Sequence, residues 1–214
     1  ALTDEGAEVY DAPLQLQTAV AGFRTRVNGL HARLKGELSI GITDNLVTMP
    51  EMYITDALSA LKARGPEVRI NIRMMPPSDI ELGVLDGRLH TGVIPALKTL
   101  PGLAYLPLYE EASRLYCAAD HPLFDVEDVD EKRLAIHDAV VPAYAQTPEV
   151  KACHAPLKAA ASATDREGIA FLILSGRYIG YLPTHYAERW VRDGRMRALN
   201  PERWHYLTHY SAIT

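Results

Sequence analysis

Two kinds of hydrophobic spacing divide the chain near residue 35. Before it, Leu16, Val20, Phe23, Val27, Leu30 and Leu34 follow at steps of 4, 3, 4, 3 and 4, an a/d seam over nearly three heptads. Pro13 would interrupt a helix interior, so the spacing predicts a helix over 13–34. Asp4, Glu5, Glu8 and Asp11 sit early, while Arg24, Arg26, Arg33 and Lys35 sit late, an order that suits the helix macrodipole. An amphipathic helix packed on its own domain carries a wider apolar stripe. So narrow a seam favours a helix that pairs with another copy.

After Gly36 the spacing becomes alternating. Leu38, Ile40 and Ile42 predict a strand that ends in the loop Thr43-Asp44-Asn45. A helix follows, opened by Pro50 in its first turn and closed by Gly65-Pro66. Val68, Ile70, Ile72 and Met74 alternate with Arg69, Asn71 and Arg73 as a half-buried strand. Beyond Pro76-Pro77, Ser78-Asp79-Ile80-Glu81 has capping-box spacing, and its helix closes near Asp86-Gly87. A third strand over 91–94 stops at Pro95. This βαβαβ order predicts a mainly parallel sheet.

The second half repeats that grammar once. Residues 103–108 and 114–118 read as two further strands, and 120–131 as a solvated acidic loop with six carboxylates. Thr164-Asp165-Arg166-Glu167 is another capping box, opening an apolar helix that Ser175-Gly176 closes. A strand over 178–182 stops at Pro183. A helix over 184–193 ends at Gly194, a C′ glycine, and 204–210 is a last strand. No repeat of fixed period is present.

Composition narrows the function classes. The 214 residues are 48% hydrophobic and 23% charged, which excludes a disordered chain, and scattered Gly and Pro exclude a collagen-like one. The longest apolar run is six residues, far below the ~20 of a membrane-spanning helix. No basic start followed by an apolar stretch marks a secretory signal, and Cys117 and Cys153 form no CxxC pair. A reduced, cytoplasmic setting follows. The sequence does not begin with Met, so residues upstream are expected. Net charge is −5, and residues 1–35 hold four acids and four bases, so the surplus lies in 36–214. That portion does not itself grip DNA.

Enzyme signatures are missing: no GxSxG, no GxxxxGK[ST], no GxGxxG after a strand. No catalytic residue, metal site or cofactor is therefore assigned. Gly176 to Gly180 runs from helix to strand, the reverse of a phosphate loop. His205 and His209 would share a strand face, too far apart for one ion without a third ligand. Cys117 reads as core, and adjacent Glu110 and Glu111 point to opposite faces of a strand. What remains is a set of polar strand-to-helix junctions: Thr43, Asp44 and Asn45 in one place, Ser78 and Thr164 at helix starts in others. Such junctions at strand ends are where α/β proteins bind ligands. Their unpaired N–H groups suit a small anion, although Asp44 argues against a purely anionic one.

These residues resemble LysR-type transcriptional regulators. Leu2-Thr3-Asp4-Glu5-Gly6 is similar to the end of that family's winged helix-turn-helix, before its dimerising linker helix. Gly36-Glu37-Leu38-Ser39-Ile40-Gly41 resembles the start of its effector-binding domain. Pro50, Pro66-Glu67-Val68, Leu85-Asp86-Gly87, Leu106 to Glu110 and Leu115 to Leu123 match in order. Gly176 to Pro183 resembles the family's glycine-rich strand ending in Leu-Pro. Two features depart from the pattern: His90 stands where the family has Asp, and the family continues into a further helix beyond the position of Thr214.

The resemblance implies an α/β fold of two lobes like type 2 periplasmic binding proteins, preceded by a long dimerisation linker helix. Residues 1–35 would be the end of the winged helix-turn-helix and the linker. Residues 36–108 with 204–214 would form lobe I, and 109–203 lobe II. A small-molecule effector would bind between the lobes. Thr43, Asp44, Asn45, Ser78 and Pro95 would line one wall; Tyr144, Thr164, Asp165 and Tyr181 would line the other. The chain would act as a homodimer or homotetramer and reach DNA through an N-terminal domain not contained in this sequence. Two rivals share the fold: an exported, monomeric solute-binding protein, and a small enzyme.

Overall fold

The computed structural model describes residues 34–214. The heptad positions Leu16, Val20, Phe23, Val27 and Leu30 lie outside the described residues. Leu34 precedes the first strand, without regular secondary structure and 44% exposed. The described residues group into two compact units: Leu38–Ile54 with Ile70–Thr214, and Thr55–Arg69 with the residues just before Leu38.

The smaller unit contains most of helix α1 (Ile54–Arg64). Lys62, in the last turn of α1, donates from Nζ to the carbonyls of Pro66 at 2.7 Å and Val68 at 2.8 Å. A cation at a helix C-terminus meets the negative end of the dipole, which helps stop the helix there. Pro50 does not open α1. Pro50–Met52 form a separate 3₁₀ turn, and Tyr53, left-handed at φ 47°, separates it from the α-helix.

The larger unit is built on a mixed sheet. Strands β1 (Lys35–Ile42), β2 (Glu67–Met74), β3 (Thr91–Pro95), β4 (Tyr105–Ala118), β7 (Gly180–Pro183) and β9 (His205–Ile213) lie in the order β2-β1-β3-β9-β4-β7. β8 (Met196–Ala198) also pairs with β4. β5 (Asp138–Pro142) and β6 (Lys158–Ala163) form a parallel pair, and Ala139 bridges in parallel to Ile179 beside β7. β3 is nearly continuous in burial because it has a parallel neighbour, β1, on one side and the antiparallel β9 on the other.

Two strands, β4 and β9, join the β3 side of the sheet to the β7 side. The start of β4, Tyr105–Pro107, pairs with β9 at Ile213–Ser211, where β9 also meets β3. The end of β4, Ser113–Tyr116, pairs with β7. Sequence alternation breaks at Leu108, which read as the end of one strand. It is a register shift between Pro107 and Tyr109 inside a single 14-residue strand.

Helices α2 (Pro77–Leu85), α3 (Glu131–Leu134), α4 (Pro148–His154), α5 (Arg166–Leu174) and α6 (Thr184–Arg192) complete the unit. α2 packs on the β3 end of the sheet through Ile80, Leu89, Ile94 and Ile213. It lies so close that a Cβ on Gly92 would fall 2.3 Å from Ile80 Cγ2. α5 and α6 bury Ile169, Ile173, Tyr186 and Ala187 against Val140, Leu182 and Tyr116. A third cluster joins Leu115, Cys117, Ile179, Tyr181 and Trp204. Cys117 is fully buried there, as its strand position predicts.

Both capping boxes resolve differently from their spacing. α2 starts at Pro77, so Ser78 lies inside the first turn and caps nothing. Glu81 accepts instead from the Tyr105 hydroxyl at 3.0 Å. α5 is capped by Asp165 rather than Thr164: its Oδ1 accepts from the Gly168 N–H at 2.7 Å. His90, the departure from the family pattern, accepts at Nδ1 from the Ser39 N–H at 2.9 Å and so ties the start of β3 to β1.

Candidate functional site

The end of β1 turns sharply. Asn45 takes a left-handed conformation at φ 62°, a geometry Asn tolerates better than most residues, before a 3₁₀ turn over Leu46–Thr48. That turn leaves Thr43 and Asp44 lining a cavity of about 300 Å³. Its apolar side comes from the link between β2 and α2 (Met74, Met75, Pro76, Pro77) and from Pro95 at the end of β3. Its polar side comes from Tyr144, Thr164, Asp165 and Arg166.

Arg166 organises the polar side. It occupies the first position of α5, where the helix dipole disfavours a cation, so carboxylates must offset it. They do. One guanidinium nitrogen donates to Asp44 Oδ1 at 2.9 Å and to the Asp44 carbonyl at 3.2 Å. The other donates to Glu111 Oε2 at 3.0 Å and to the Tyr210 hydroxyl at 2.6 Å. The backbone N–H of Arg166 donates to Asp44 Oδ2 at 2.6 Å, and that oxygen also accepts from Asn45 Nδ2 at 2.7 Å. The loop after β1, strands β4 and β9 and the start of α5 thus meet at one residue, Arg166, that is 8% exposed.

Glu111 is 1% exposed, on the inward face of β4. Burial pushes its carboxyl up, but the Arg166 charge and the bonds from His185 and Arg166 outweigh that and hold it below its usual value. His185 lies 3.0 Å from Glu111 Oε1 through Nε2, and 2.7 Å from the Thr48 hydroxyl through Nδ1. Because Glu111 is ionised it can only accept, so His185 Nε2 carries a proton. Behind the cluster Tyr210 stacks on Tyr109, ring centres 5.1 Å apart. Burial raises the Tyr144 and Tyr210 phenols, which stay protonated at neutral pH. No group of three or more His, Cys, Asp or Glu among the described residues is placed to hold a metal ion. His209 instead lies 3.1 Å from Glu110 across β4 and β9. None of the described helices is long and apolar enough to cross a membrane.

The model of the LysR substrate binding domain matches residues 31–214. The chain belongs to the LysR-type transcriptional regulators. It is 56% identical over 218 residues to the HTH-type transcriptional activator BauR of Pseudomonas aeruginosa, a match covering 100% of this chain and 71% of that protein. Among solved structures it resembles the cofactor-binding domain of the Cbl transcriptional regulator, with TM-score 0.67, 17% identity, and 85% and 82% of the two chains covered. It also resembles the effector-binding domain of QuiR in complex with shikimate, with TM-score 0.69, 11% identity, and 85% and 88% covered. The fold is thus the periplasmic-binding-protein-like α/β fold of LysR effector-binding domains. Regulators of this family bind small-molecule effectors, oligomerise and bind DNA.

Of the nine residues the sequence suggests for a LysR effector wall, Thr43, Asp44, Pro95, Tyr144, Thr164 and Asp165 border the cavity. Three do not. Asn45 turns aside to brace Asp44. Ser78 is the second residue of α2, just past the prolines that border the cavity. Tyr181 is 3% exposed inside the core of β7, its hydroxyl 3.4 Å from the Cys153 carbonyl. Arg166, Glu111, Tyr210 and His185 were missed. A cation at a helix N-terminus signals a carboxylate partner for Arg166. Counting by twos back from buried Leu115 turns Glu111 inward.

Proposed function

We propose that this chain is the sensing and oligomerising part of a cytoplasmic LysR-type transcriptional activator, and that the cavity at Arg166 is its effector site. Residues 36–108 with 204–214 form one lobe and 109–203 the other, with a small metabolite between them. The linker segment that precedes the first strand passes the bias in lobe arrangement to an N-terminal DNA-binding domain, in a homodimer or homotetramer. The chain performs no catalysis.

The observation that carries this reading is the cavity itself. Its volume, about 300 Å³, suits a small metabolite, and it opens where the ends of β1, β2 and β3 face the first turn of α5. The BauR likeness supports the activator role, and the QuiR likeness supports a domain of this fold holding a small molecule.

A metabolite panel screened by thermal shift tests it. A stabilising compound is expected, and Thr43→Val combined with Thr164→Val should weaken its binding about fivefold or more, since two lost polar contacts cost about 0.5–1.5 kcal/mol each. A compound that binds both proteins equally would place the effector elsewhere.

A further inference from the structure

The contact between Asp44 and Arg166 is more than an ion pair across a cavity. Arg166 presents two donors toward the same spot, its guanidinium and its own backbone N–H, which together fit one carboxylate. Asp44 fills both: Oδ1 lies 2.9 Å from the guanidinium and Oδ2 lies 2.6 Å from the backbone N–H. The charge of Arg166 does not require it. Glu111, ionised and 1% exposed, already balances that guanidinium from behind at 3.0 Å. Asp44 is the second carboxylate on a single cation. Its side chain is 26% exposed, against 1% for Glu111, and it borders the cavity.

We propose that Asp44 is a resident carboxylate that occupies the cavity's anion-binding position at Arg166, and so determines specificity by barring simple anions. A ligand carboxylate, sulfonate or phosphate reaches Arg166 only by displacing Asp44. A small inorganic anion or monocarboxylate offers nothing to offset that exchange, because one carboxylate merely replaces another and the displaced Asp44 stays in the same cavity. The anion position stands on the Arg166 geometry alone. Only its bearing on effector choice rests on the function proposed above.

Chemical rescue tests the assignment without knowledge of the effector. Asp44→Gly removes the carboxylate and leaves room for acetate or formate. Thermal unfolding of the wild-type chain and of this variant is compared in sodium chloride, sodium acetate and sodium formate at equal ionic strength and pH. The wild type should unfold at the same temperature in all three. Asp44→Gly should unfold lower in chloride and regain a saturable increment in acetate or formate, about 3–6 °C at ten times the dissociation constant. Arg166→Met in the same background should abolish the increment.

Acetate that stabilises wild type and variant alike, or a cooperatively folding Asp44→Gly that gains from neither anion, would overturn the assignment. Should Asp44→Gly fail to fold, Asp44→Ala with formate carries the same comparison. Failure of the metabolite screen alongside successful rescue would remove the effector reading and leave the anion position intact.

Discussion

The two sides of the cavity hold their shape by different means. Met74, Met75, Pro76, Pro77 and Pro95 make a side with no charged group. Three prolines fix φ there and remove N–H donors, and Ile80, just beyond Pro77, is completely buried. Tyr144, Thr164, Asp165 and Arg166 make the other side, where two N–H groups at the α5 terminus and the Arg166 guanidinium are engaged. Asp44 takes the Arg166 N–H, Asp165 takes the Gly168 N–H, and three side chains share the guanidinium. Rigidity on the first side comes from backbone restriction and packing. On the second it depends on partners that stay charged, so the two sides should answer differently to loss of charge and to loss of space.

The largest effect is expected from Arg166→Met. The variant keeps most of the stem volume but leaves Glu111 buried without its cation, a loss of about 3–5 kcal/mol in urea unfolding at pH 7. Adding Glu111→Gln should recover more than half of it, because the two residues are in contact and their effects do not add. Acid gives the same contrast. The native Glu111 value is depressed, so its contribution is present above the unfolded value of about 4.3 and fades as pH falls through the lower native value. Glu111→Gln should flatten that part of the pH profile. A loss below about 1 kcal/mol for Arg166→Met would show that the polar side does not depend on charge.

How much was legible in sequence follows the same division. Alternation and proline stops located β1, β2, β3 and the cavity edge at Thr43, Asp44 and Pro95, because local backbone preference and burial agree there. The stretch carrying β5, α4 and β6 gave little signal. Lys158–Ala163 is mostly alanine and largely exposed or half-buried, so no hydrophobic period marks it. Arg166 meets Glu111 across 55 positions and Tyr210 across 44. Local spacing cannot show such partners. It can show only that Arg166 sits badly on its own dipole and that Glu111 shares a face with Leu115.

On the apolar side the sharpest perturbation is one added methyl group. Gly92→Ala places a Cβ 2.3 Å from Ile80 Cγ2 and 3.1 Å from Ile213 Cγ1, where β3 and α2 touch. Overpacking of this kind costs about 1–3 kcal/mol. Ile80→Ala in the same chain removes the clashing atom, so the double variant should lose less than the sum of the singles. The Gly92→Ala offset should also stay constant between pH 7 and pH 4, unlike that of Arg166→Met. An offset that grew in acid would join the two sides into one electrostatic unit.

The smallest effect separates two neighbours on the polar side. Asp165→Ala removes the acceptor of the Gly168 N–H and should lower stability by about 1 kcal/mol. Thr164→Ala touches no helix donor: the Thr164 hydroxyl lies 3.3 Å from Asp165 Oδ2, and its residue is exposed. Its cost should fall within about 0.5 kcal/mol of zero. Urea midpoints measured side by side decide the matter. Equal losses would mean that Thr164 orients the capping carboxylate and shares its role, and the rigid frame around Arg166 would then begin one residue earlier. A clear difference leaves Thr164 without a structural task at the α5 terminus, so any loss of ligand binding on its replacement reads as a contact with the ligand.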